Sequence, residues 1–141
     1  MSVYISDNLR RQIEQADRGQ CCYCQTQEIN SGIPLSLDHI LPQSKGGKTS
    51  FNNLCLACRS CNEFKSNSIE GFDLLTETIA PLFNPRLQKW KGHFRWSDNS
   101  TRVEGITATG RATVVALQMN RAVIVAARAR WVLSGWHPPK F

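Results

Sequence analysis

Two cysteine pairs of identical spacing stand early in this chain. Cys21-x-x-Cys24 and Cys58-x-x-Cys61 are separated by 33 residues. A Cys-x-x-Cys knuckle turns two thiolates toward one ion, and two knuckles complete a tetrahedral four-sulfur shell. Zn²⁺ takes that shell, and with no open position the site is structural. The gap exceeds that of a simple zinc ribbon, so a folded insert must lie between the knuckles. Without a metal, the same cysteines would be small buried apolar residues. Cys55 sits in an apolar run and reads as core, while Cys22 competes with Cys21 as a ligand. Apparent zinc-binding free energies of about 10–16 kcal/mol are enough to staple so small a module.

Inside the insert lies Asp38-His39, with Asn53 14 residues after His39 and Asn62 nine residues further on. Residues 18–66 include RGQCCYC, LSLDHILPQSKGGKTSFNNLCLACRSCNEFKS, and both knuckles. This stretch resembles the HNH nuclease family of the ββα-metal type, or His-Me finger. The resemblance rests on the knuckles, Asp38-His39, the Ser44-Lys45-Gly46-Gly47 loop, the Asn53-Leu54 step and the Cys58-x-x-Cys61-Asn62 helix start. It covers about a third of the chain, and its third position, often His in the family, is Asn62 here. Residues 82–114 are in turn similar to the tail of some stand-alone HNH proteins.

The residue types suit phosphodiester hydrolysis. An anionic phosphodiester repels hydroxide, so cleavage needs a cation on the phosphate and a base for the water. Asp38 and Asn62 offer hard oxygens suited to Mg²⁺ or Mn²⁺. His39, with an ordinary pKa near 6.5, is mostly neutral at pH 7–8 and can accept the proton of water. The resemblance assigns Asn53 to orienting the imidazole, by side chain or backbone, and implies 5′-phosphate and 3′-hydroxyl products. Neighbours on a strand face opposite ways, so Asp38 and His39 share a site only if the strand end twists or the metal sits at its tip.

The elements that must position these groups can be read from spacing and caps. Ser6 caps a helix through Leu9, Ile13 and Ala16, stopped by Gly19. Leu35 to Leu41 begins with strand alternation, 42–47 is a loop, and Leu54 to Ala57 is a second strand. A helix starts near Asn62. Residues 92–106 read as a hairpin, Thr107 or Thr109 caps a helix, and Asn120 caps a last one from Arg121 to about Leu133. The expected fold is α+β: an HNH core with a four-cysteine zinc site over residues 1–70, and a basic extension over 71–141, packed on or beside it.

Charge separates the same two parts. The chain of 141 residues carries a net +6, with −2 on residues 1–80 and +8 on residues 81–141. That balance points to a nucleic acid, and the resemblance implies DNA. Lys45, Lys48, Arg59 and Lys65 flank the proposed site as phosphate-binding candidates. Glycines beside Lys45 would let backbone amides approach an anion. Trp90, Trp96, Trp131 and Trp136 interleave with arginines and read as core before stacking platforms, His93 as a structural histidine, and His137, beside Pro138-Pro139, as a tail residue. No apolar run exceeds the six residues Ala122 to Ala127, which excludes a membrane helix. The N-terminus lacks a signal-peptide layout, so an intracellular, cytoplasmic protein is expected. Two rival functions remain: a zinc-stapled DNA-binding module with an idle nuclease site, and a zinc-stapled protein-interaction module.

Overall fold

A computed structural model describes residues 4–140. Helix α1 (Asp7–Ala16) begins where expected, with the Ser6 hydroxyl accepting the Leu9 amide at 3.1 Å. A single turn, α2 (Glu28–Ser31), follows the first knuckle, and Gly32 ends it at a φ of +71°. Strands β1 (Ser36–His39) and β2 (Leu54–Ala57) pair antiparallel, with Asp38 opposite Cys55 and His39 opposite Leu54. Helix α3 (Arg59–Lys65) follows β2 at once.

The β1–β2 pair divides the interior. Leu54 and Leu56 pack against Ile13 of α1. Cys55 and Ala57, on the opposite face of β2, join the larger cluster with Cys21, Cys24 and Cys61. Period-two alternation explains why a strand buried on both sides reads Leu-Cys-Leu-Ala without a polar residue.

The second region builds two more hairpins and two helices. Strands β3 (Glu70–Asp73) and β4 (Thr78–Pro81) form one hairpin, β5 (Phe94–Trp96) and β6 (Val103–Gly105) the other. Helices α4 (Ala108–Ala116) and α5 (Ala122–Leu133) complete the chain, and the Thr107 hydroxyl caps α4. The β5–β6 hairpin matches the expectation, while β3–β4 was not foreseen. Its turn contains no Gly, Pro or Asn; Glu77 takes the left-handed conformation instead, at a φ of +54°.

Three expected starts and placements change. Helix α3 opens at Arg59 rather than near Asn62, because the Cys58 sulfur accepts the Cys61 amide and acts as the cap. Asn120 does not cap α5, which Arg121 precedes. Its carboxamide instead bonds both backbone groups of Val103, at 2.8 and 2.9 Å. His137, read as a tail residue, is buried against Trp96 and bonds the Ser100 carbonyl. As expected, Trp90 and Trp96 pack on the core, and His93 makes a structural bond to Thr107 at 2.7 Å.

The two compositional regions share one hydrophobic cluster. Phe83, Phe94, Val103, Leu117 and Met119 from the second pack with Tyr23, Cys55 and Ala57 from the first. Arg86 adds a polar tie: its guanidinium forks onto Asp17 at 2.6 and 3.0 Å and also donates to the Leu54 carbonyl.

Candidate active site and metal centre

The two knuckles meet. The sulfurs of Cys21, Cys24, Cys58 and Cys61 all lie within 4.8 Å of one another, and Cys24 and Cys58 are 3.6 Å apart. Four sulfurs at about 2.3 Å from one zinc stand about 3.8 Å from each other, so the cluster fits a tetrahedral zinc. Each knuckle is shaped by an amide pointing back at its first sulfur: Cys24 N to Cys21 Sγ at 3.5 Å and Cys61 N to Cys58 Sγ at 3.4 Å. The thiols also perturb one another. Burial pushes the Cys21 thiol well up, while the hydrogen bond from Cys21 holds Cys24 well down. Cys22 lies outside the cluster, beside Cys55 and Asp17, so Cys21 is the residue placed for the metal. Cys55 is core, 3.8 Å from the Tyr23 hydroxyl.

Asp38 and His39 stand side by side in β1 and serve different neighbours. The Asp38 carboxylate is 3 % exposed and accepts from the Tyr23 hydroxyl at 2.8 Å and from the Lys65 ammonium at 3.2 Å. The same ammonium donates to the carbonyls of His39 and Ile40, at 3.0 and 3.1 Å. Burial pushes the Asp38 carboxyl above its usual value, with Lys65 and Tyr23 pulling it back. The His39 imidazole bonds Thr49 through Nε2 at 2.9 Å. Burial lowers its pKa; Asp38 opposes that and Lys65 adds to it. A neutral imidazole at pH 7 follows.

Asn53 clamps the loop rather than touching His39. Its carboxamide accepts the Leu41 amide and donates to the carbonyls of Leu41 and Lys48, at 2.8, 3.0 and 2.8 Å. Its own carbonyl accepts the Ile40 amide at 2.9 Å. These bonds hold the end of β1 against the loop that carries Thr49. The side chain touching the imidazole is therefore Thr49, which the sequence reading missed; its only signal there was a hydroxyl ten residues after His39. Asn62 lies on α3, half-buried, and its side chain makes no hydrogen bond to another described residue.

The basic candidates divide. Lys45 and Lys48 are exposed. Arg59 is exposed but pairs with Glu63 at 3.0 Å. Lys65 is 1 % exposed, so it is not a surface phosphate contact; its stem is buried and its charge is spent on Asp38. The expected anion cradle at the glycines is absent, because the amides of Lys45, Gly46 and Gly47 donate to the carbonyls of Pro42 and Gln43. Gly47 has a steric reason instead: a Cβ there would overlap the Leu41 carbonyl.

Among the described residues, no helix is long and apolar enough to cross a membrane. A comparison with curated proteins finds no match for the chain. Comparison with family models does: residues 21–72 match the model described as HNH endonuclease, a stretch that holds both knuckles, the β1–β2 pair and α3.

Proposed function

We propose that the chain is a metal-dependent endonuclease that hydrolyses DNA phosphodiester bonds on a ββα-metal core, β1–β2–α3. The observation that carries this reading lies within the matched segment: a histidine held neutral and tied at one ring nitrogen stands next to a buried aspartate that already bears a cation. With Nε2 engaged by Thr49, Nδ1 remains to take the proton of an attacking water. Lys65 Nζ rests among oxygens only: Asp38, the His39 carbonyl and the Ile40 carbonyl. That is the donor chemistry a hard cation takes. Asp38 faces α3, the helix carrying the unbonded Asn62, so these two residues would hold Mg²⁺ or Mn²⁺. Bound there, the ion supplies charge for the phosphate and the leaving oxygen. Zn²⁺ in the four-cysteine shell is structural. Exposed Lys45 and Lys48 offer charge to the DNA backbone.

One observation favours a second reading, a DNA-binding module with an idle nuclease site: both Asp38 oxygens are engaged by Tyr23 and Lys65. The test is a supercoiled-plasmid assay with zinc-loaded protein in Mg²⁺, Mn²⁺ and EDTA, beside His39→Ala. Nicked or linear product that needs the metal and vanishes in the variant supports the nuclease. A salt-dependent gel shift with no cleavage supports the idle module, and full cleavage by His39→Ala overturns the role of His39.

A further inference from the structure

The middle of α5 buries a charge that has no counter-ion. Arg128 is 0 % exposed. One guanidinium nitrogen, Nη1, donates to the Thr101 carbonyl at 3.0 Å and to Asn120 Oδ1 at 3.3 Å. Nε and Nη2 have no hydrogen-bond acceptor. No carboxylate among the described residues pairs with it; the five ion pairs use other cations. The guanidinium lies 5.2 Å over the Trp96 ring, and Trp96 in turn bonds Gln25, the residue after Cys24.

An arginine cannot relieve this by shedding its proton, since guanidinium stays charged at any pH a protein survives. A buried guanidinium with two idle N–H groups therefore needs an anion. His137 is not one: it is buried, neutral by desolvation, and bonded to Ser100. Arg121, a second cation facing Arg128, makes the need greater. The groups that attract the Arg128 charge are two of the knuckle cysteines, Cys24 first and then Cys61. Four thiolates around one Zn²⁺ carry a net charge of 2−, in a centre where Cys21, Cys24 and Cys61 are all buried.

We propose that Arg128 is the built-in counter-charge of the zinc centre, its Nε–H and Nη2–H serving the thiolate sulfurs on the Cys24 side. Helix α5 thereby becomes part of the metal site, although its sequence contains no ligand. The dependence is mutual. Zinc retention needs the guanidinium, and loss of zinc leaves the guanidinium unmatched inside the fold. This inference stands apart from the nuclease reading, because it concerns only the structural metal and is measured without any substrate.

The test is zinc transfer to a chromogenic chelator from the full chain. Arg128→Gln is expected to release zinc roughly 10–100-fold faster than the parent, the range found when outer partners of metal ligands are removed. Arg128→Lys, which keeps the charge, is expected to release zinc at a rate closer to the parent's than to that of Arg128→Gln. Equal release from the parent and Arg128→Gln overturns the proposal. If Arg128→Gln does not fold, the Co²⁺-loaded parent and Arg128→Lys decide. Exchanging a forked donor for an ammonium shifts the sulfur-to-cobalt charge-transfer band if the N–H groups reach sulfur, and an unmoved band overturns the proposal.

Discussion

Replacing Lys65 by methionine isolates the contact at the centre of the candidate site. The ammonium and the Asp38 carboxylate are 2 % and 4 % exposed at the side chain and 3.2 Å apart. At an effective dielectric of 20, that separation corresponds to about 5 kcal/mol of attraction. Methionine keeps most of the buried stem and avoids desolvating an ammonium, which offsets part of the loss. It leaves Asp38 buried with the Tyr23 hydroxyl as its one remaining side-chain partner. Breaking a buried pair from one side typically costs about 3–5 kcal/mol. The expected destabilisation of Lys65→Met is in that range, a fall in Tm of about 10–15 °C for a chain of this size. Asp38→Asn combined with Lys65→Met should cost less than the sum of the single variants, because the uncompensated charge is gone. Thermal and urea unfolding of zinc-loaded protein, with no added magnesium, measures the cycle. A single-variant loss below about 1 kcal/mol, or strict additivity, would refute the assignment of Lys65 as the cation that stabilises buried Asp38.

Other tests reach different parts of the molecule. The Arg111 guanidinium bonds Asp73 at 2.9 and 3.0 Å and holds its carboxyl well below the usual range. A depressed carboxyl contributes stability above its unfolded pKa of about 3.9 and loses it as pH falls further, so Asp73→Asn should flatten the acid limb of a Tm-against-pH curve below pH 4 or so. Cys58→Ala should abolish stoichiometric zinc and the cooperative melt, whereas Cys22→Ala should keep one zinc per chain by metal analysis. Thr49→Val should lower kcat for plasmid nicking by about tenfold or more with KM little changed, and Thr49→Ser should restore it. Loss in both variants alike would show that the hydroxyl is not what matters.

The sequence was most legible where the signal was local. Ser6 capping, the Cys-x-x-Cys spacing and alternation at Leu35–Asp38 each depend on a few adjacent residues, and each has its expected counterpart in the structure. Legibility failed where a side chain answered to something distant. Asn120 has the right type for a cap, but Val103, 17 residues away, takes its carboxamide. Lys65 has the composition of a surface cation, but the last turn of α3 points it at Asp38, 27 residues back in the chain. Arg128 is hidden for the same reason: nothing near it in sequence announces a buried charge. Cys58 shows a third kind of failure, since a residue read only as a metal ligand is also the helix cap, which shifts α3 three residues earlier.

The shared cluster of Phe83, Phe94, Val103, Leu117 and Met119 with the first region has a consequence for portability. The stretch matching the family is not a cassette that can be cut out and transplanted. Trimmed to residues 21–72, it would lose Ile13 of α1, the Phe83 and Phe94 rings of the shared cluster and the Arg86 hydrogen bond to the Leu54 carbonyl, and would present bare apolar surface to water. Fusing that stretch alone to another DNA-targeting protein should yield an aggregating partner, whereas a graft running from Ser6 through His137 carries its own interior with it.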